Sequence, residues 1–150
     1  RVFHETYHGA LDRARLAPDA VPAMDAVLTA GATQSILSMW WHDQLVPAVE
    51  ACGLCARVVA VDGHRGVPGD TKGDHLAVHL RSLADRVPGV TAADAVVIGD
   101  ITDDAEAAAT AGAGCVLYDS GSQPRPVLEA TGFPVASTLL EAVGLAGIPA

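Results

Sequence analysis

The sequence predicts an α/β fold, a parallel sheet joined by right-handed crossovers. Three observations predict it. Short apolar runs of strand character recur along the 150 residues, and stretches of helical periodicity separate them. Residues 57–61 and 95–98 are the clearest runs, rich in valine and isoleucine. Each leads into a loop carrying charge, which places polar groups at the carboxyl edge of a sheet, where open α/β folds bind ligands.

In chain order, the pattern is helical from the first residue, with Val2, Phe3, Tyr7 and Leu11 on one stripe. A chain that starts inside a helix without a cap is expected to be part of something longer. A second helix is expected over residues 19–30, with Val21, Met24, Val27 and Leu28 inward and Gly31 ending it. Residues 34–38 read as a short strand, followed by Trp40 and Trp41 and a helix over 43–51. The strand at 57–61 opens a loop of glycines and charges that runs to Thr71, and residues 72–84 read as helix. Pro88 and Gly89 break the chain before the next strand. Beyond it come an alanine-rich helix over 105–111 and a strand over 115–118. The tail offers a helix at 126–130, an extended segment at 133–136 and a last helix at 138–145.

Length and composition bound the function. One domain is expected, with a core of Ala, Val and Leu, because half the residues are hydrophobic but only 4% are aromatic. A net charge of −9 argues against nucleic-acid or anionic-membrane surfaces. No apolar run approaches the roughly 20 residues of a membrane helix, and no signal peptide is apparent. Cys52 and Cys55 have redox spacing but lack a second pair, so reduced thiols in a cytoplasmic chain are expected.

Three polar signals carry chemistry. The first is Gly99-Asp100-Ile101-Thr102-Asp103-Asp104, which sets three carboxylates at a strand end. Acids so placed repel one another unless a cation or proton lies among them, and oxygen ligands favour Mg²⁺. The plainer account of Asp103 and Asp104 is that they start a helix, where acids suit the dipole. The second signal is Ser38 at a strand end, where its hydroxyl and the following amide, that of Met39, can hold a phosphate oxygen. The third is Lys72, the one lysine beside eight arginines. It stands at a helix start, an awkward place for a cation unless an anion joins it to the helix amides. His75 and His79 are spaced for zinc but have no third ligand, and His42 and His64 lie in loops near the presumed site.

Ser38 after a strand, Lys72 opening a helix, then Gly99-Asp100 with Asp103 and Asp104 resembles the haloacid-dehalogenase-like (HAD) hydrolases, especially phosphoglycolate-phosphatase-like members. The resemblance implies a three-layer, Rossmann-like core over residues 16–150, with residues 1–15 as the end of a helical cap. It implies that Ser38, Met39 and Lys72 bind the phosphoryl group, that Lys72 and Asp100 are catalytic, and that Asp100, Asp103 and Asp104 serve Mg²⁺. It further implies a phosphatase of small phosphorylated metabolites working through an aspartyl-phosphate. The family's first motif, Asp-x-Asp-Gly-Thr, is absent from the sequence. Its nearest imitation, residues 60–63, has alanine where the nucleophile belongs and follows the second motif. The strand that bears the nucleophile is therefore expected to be missing. The strands ending in Ser38 and Asp100 would then be left unpaired and the isolated chain marginal unless another segment fills the gap. One rival is a non-catalytic relative that keeps the pocket. A phosphoacceptor receiver is a second, but its acids precede its lysine-bearing element in the reverse order.

Overall fold

The computed structural model describes residues 2–3, 16–66 and 71–147, and a six-stranded sheet runs through them. The strands are β1 (Val2–Phe3), β2 (Ile36–Trp41), β3 (Val61–His64), β4 (Val96–Gly99), β5 (Gly114–Tyr118) and β6 (Val135–Ala136). Their spatial order is β3-β2-β1-β4-β5-β6, and every pairing is parallel. The helices are α1 (Ala20–Thr29), α2 (His42–Ala51), α3 (Lys72–Ala84), α4 (Thr102–Ala111), α5 (Arg125–Glu129) and α6 (Leu139–Leu145).

Two cores form because neighbouring residues of a strand point to opposite faces. Ile36, Ile98 and Val116 face one way, against Met24 and Val27 of α1, Leu45 and Val49 of α2, and Leu139 and Val143 of α6. Leu37, Val97, Cys115 and Leu117 face the other, against Leu76, Leu80 and Leu83 of α3, the alanines of α4, and Leu128 of α5. Helix, sheet and helix make the expected three layers. From β1 the chain winds outward through β2 and β3, then crosses back to build β4, β5 and β6 on the other side. The strand order therefore reverses beside β1, and the carboxyl ends flanking it are where such sheets bind ligands.

The structure departs from the sequence reading in four places. Val2 and Phe3 form a strand, not the start of a helix: Phe3 pairs with Ile36 and Ile98, and Val2 with Val97. They occupy the place between β2 and β4 that was expected to be open, so neither strand faces a gap along these residues. The remainder of the expected cap helix lies outside the described residues. The strand read at 57–61 begins only at Val61, because Arg57 belongs to a tight turn (Cys55–Arg57). The strand read at 34–38 runs instead from Ile36 to Trp41. On α1 the inward stripe is Ala20, Ala23, Met24 and Val27, while Leu28 is exposed; two small alanines let this helix approach closely.

Two glycines allow close approaches that aim the site. A Cβ at Gly63 would lie 2.7 Å from the Trp40 carbonyl oxygen and 2.8 Å from the His42 nitrogen, so β3 could not sit against β2 with any side chain there. A Cβ at Gly99 would fall inside the carboxylate of Asp104. The helix α3 is pinned to the sheet by a buried polar chain. His79 Nδ1 donates to Asp62 Oδ2 at 2.6 Å, and its Nε2 meets the Ser35 hydroxyl at 2.6 Å. Asp62 Oδ1 accepts from Arg65 at 3.0 Å. The hydrogen bond from His79 holds the Asp62 carboxyl well below the usual carboxylate range, against the opposing effect of burial, and Arg65 helps.

A depressed folded pKa contributes stability that is present above the ordinary value of 3.8 and is lost as pH falls below it. Asp62→Asn should therefore lower stability by about 2 kcal/mol at pH 7 and flatten its decline in acid. Urea midpoints measured at pH 7 and at pH 3 check this; a mutant that weakens in parallel with the parent contradicts it. Gly99→Ala should destabilise by about 2 kcal/mol or more, since the alanine methyl must displace a buried carboxylate. The same titrations read that loss.

Candidate active site

Asp104, fully buried on the first turn of α4, holds the site together. Its Oδ2 accepts from the backbone N–H of Asp100 at 2.9 Å and of Ile101 at 3.2 Å. Its Oδ1 pairs with the ammonium of Lys72, whose side chain is only 9% exposed. The absence of a side chain on Gly99 is what lets the carboxylate reach these amides. One acid thus joins α3, β4 and α4. It also resolves the awkward position of Lys72 at a helix start: the anion expected there is Asp104 itself. The helix amides of α3 are served separately. Thr71 Oγ1 accepts from the Asp74 amide at 3.2 Å, and Asp74 accepts from the Thr71 amide at 3.1 Å, which lowers the Asp74 pKa. Burial pushes the Cys115 thiol up to about 12, with the Asp104 charge adding and Lys72 opposing. A neutral thiol of that kind is no nucleophile.

Asp100 stands at the carboxyl end of β4 and is 8% exposed. Its Oδ2 accepts from the hydroxyls of Ser120 at 3.0 Å and Ser122 at 3.1 Å. Its Oδ1 is buried and has no hydrogen-bond partner among the described residues. A buried carboxylate oxygen without a donor is costly unless a cation serves it. A hard divalent ion bound through oxygen fits that donor, and Mg²⁺ needs only one or two protein carboxylates beside water and phosphate. The expected trio of metal acids is not gathered: among the described residues no three His, Cys, Asp or Glu side chains cluster in a metal-binding group. Asp104 is committed to Lys72 and two amides. Asp103 is exposed and lines an opening.

That opening is a pocket of about 470 Å³ lined by Met39, Thr71, Lys72, Asp103 and Glu106 among others. It brings the expected phosphate-binding Met39 and Lys72 to one wall with Asp103. Ser38 lies next to it on β2, fully buried, its Oγ accepting from the Trp40 amide at 3.1 Å. An oxygen that accepts there leaves its O–H to donate. Ser38 and Asp100 are not part of the pocket lining.

The histidines divide by role. His79 belongs to the Ser35-His79-Asp62 chain, which has the order of a nucleophilic triad, but Ser35 lies before the amino end of β2, at the opposite edge of the sheet from Asp100. The rings of His64 and His75 lie 5.1 Å apart, and Trp41 meets His64 edge-on. His42 Nδ1 accepts from the Gly63 amide at 3.0 Å. Trp41, His42, His64 and Arg65 line a smaller opening of about 200 Å³. Sequence reasoning missed Ser120, Ser122 and Gln123. The available signal was their place in a polar loop directly after a strand, the same edge that carries Asp100.

Residues 72–142 match the model of the HAD-hydrolase-like family. No curated protein matches the chain in sequence. Among solved structures, a predicted phosphatase from Clostridium acetobutylicum superposes with a TM-score of 0.80 at 15% identity, covering 89% of this chain and 61% of that one. A predicted phosphoglycolate phosphatase from Haemophilus somnus gives 0.72 at 15% identity, covering 89% of this chain and 58% of that one. CbbY from Rhodobacter sphaeroides, in complex with xylulose-(1,5)bisphosphate, gives 0.67 at 15% identity, covering 87% and 58%. The chain spans 58–61% of the length of these three structures. At these identities the likeness is one of fold. The resemblance read from Ser38, Lys72 and the Asp100 segment is thus borne out: the chain has the fold of the HAD-like hydrolases, and residues 72–142 match their family.

Proposed function

We propose that this chain carries the phosphate- and metal-binding part of a Mg²⁺-dependent HAD-like phosphatase acting on a small phosphomonoester. The observation that carries the reading is the buried Asp100 carboxylate, with one oxygen unserved among the described residues, fixed through its own amide to the Lys72–Asp104 pair. Asp100 would hold the metal, and Asp104 would support it from behind. Asp103, at the pocket wall, is available through water. Mg²⁺ supplies neutralisation of charge on the phosphoryl oxygens when bound.

The chain's own residues do the rest. The Ser38 hydroxyl and the Met39 amide donate to phosphoryl oxygens. The ammonium of Lys72, held by Asp104, places its positive charge beside the transferring group. The nucleophile in this reading is an aspartate carried outside these 150 residues. Its attack forms an aspartyl-phosphate while the substrate oxygen leaves as an alcohol, and water then releases orthophosphate. The opening of about 470 Å³ beside Met39 and Lys72 has room for part of a small phosphorylated metabolite, in keeping with the sugar bisphosphate held by CbbY. The net charge of −9 is against polyanionic substrates.

The test is phosphatase activity of the protein as its gene encodes it, on p-nitrophenyl phosphate and a panel of sugar and carboxylic-acid phosphates. Activity should require Mg²⁺. Asp100→Asn and Lys72→Ala should each lower kcat/KM by at least ~100-fold. Turnover that survives Asp100→Asn, or that ignores chelation of metal, overturns the reading. Phosphate binding without turnover assigns the non-catalytic alternative instead.

A further inference from the structure

We propose that Ser120 and Ser122 are positioning residues that make Asp100 a one-oxygen ligand and thereby select Mg²⁺ over Ca²⁺. The inference rests on the reading of Asp100 as the metal ligand. Both hydroxyls converge on the same oxygen, Oδ2, at 3.0 and 3.1 Å, and lie 2.9 Å from each other. The Ser122 amide donates to Ser120 Oγ at 3.2 Å and fixes that hydroxyl in the turn; its single proton has Asp100 Oδ2 and Ser122 Oγ as acceptors. Gly121, at φ 90°, makes the sharp turn that points both serines at one atom. The loop is latched to α4 as well: Gln123 Oε1 accepts from the Thr102 amide at 2.8 Å. The two oxygens of Asp100 are therefore inequivalent. Oδ2 is loaded with donors, and Oδ1 is buried without one among the described residues.

That inequivalence has a chemical consequence. An oxygen already accepting two hydroxyls has little electron density left for a cation, so coordination through both oxygens is disfavoured. Mg²⁺ takes single oxygens in tight octahedral geometry, whereas Ca²⁺ is larger and readily accepts a bidentate carboxylate. Partners that orient a ligand typically change metal affinity by roughly 10–100-fold. Both serines are exposed, so their loss has little fold to disturb.

The experiment is metal titration of the gene-encoded protein: Mn²⁺ by the electron paramagnetic resonance of the free ion, Mg²⁺ and Ca²⁺ by competition. Ser120→Ala/Ser122→Ala should weaken Mg²⁺ and Mn²⁺ binding about 10-fold or more and Ca²⁺ binding less, so that the Mg²⁺/Ca²⁺ preference shrinks. Ser120→Thr/Ser122→Thr keeps both hydroxyls and should restore the preference. The melting temperature should stay within a few degrees of the parent. If the double alanine variant does not fold, each single variant should show part of the shift. Unchanged affinities in the serine variants, with binding lost in Asp100→Asn, overturn this inference and leave the reading of Asp100 standing. Equal binding by parent and Asp100→Asn overturns both.

Discussion

A single buried carboxylate, Asp104, is the constraint on which the rest of the site depends. It has no exposure, and it satisfies two backbone amides while pairing with the only lysine. Burying an unpaired charge would cost several kcal/mol, so Lys72 and the amides are conditions for Asp104 to lie where it does. The dependence runs the other way as well. Without Asp104, the ammonium of Lys72 would sit nearly buried at the positive end of a helix, and the Asp100 amide would lose its acceptor. Glycine at position 99 is required for the same reason, because the carboxylate fills the space a side chain would take.

Much of this was legible in the sequence. A valine and isoleucine run before a charged loop marked β4, the strand read at 115–118 matched β5 within a residue, and α3 fell at its observed bounds. Its start is fixed locally, by a capping box of Thr71 and Asp74. Elements whose limits depend on distant contacts were less readable. The start of β3 slipped to Val61 because the turn before it is tied elsewhere: the Arg57 carbonyl accepts from the Gln34 side chain, and its guanidinium reaches Asp25. Val2 and Phe3 had a helical stripe, yet pairing with two neighbouring strands gives them extended backbone. Tertiary context overrode local pattern in both cases.

For the site, the sequence named the groups but not their division of labour. Three aspartates in five positions read as one metal cluster. The structure separates them into a buried support, an exposed pocket wall and a half-served carboxylate, because Asp100 follows a strand while Asp103 and Asp104 are successive helical residues that point in different directions. The serine clamp on Asp100 comes from 20 and 22 residues further along the chain. No local pattern marks such a contact, since serines in a polar turn have an ordinary explanation in the turn itself.

The two faces of the sheet carry different duties. Lys72, Asp103 and Asp104 all ride on helices that cover one face, while α1, α2 and α6 cover the other and contribute none of the proposed ligands. The strands between them alternate, so a change of volume under α1 or α6 reaches the front layer only through the backbone of the sheet. Repacking that rear layer is thus a route by which thermal tolerance can be altered, in evolution or by design, with the polar machinery left on the opposite side of a partition.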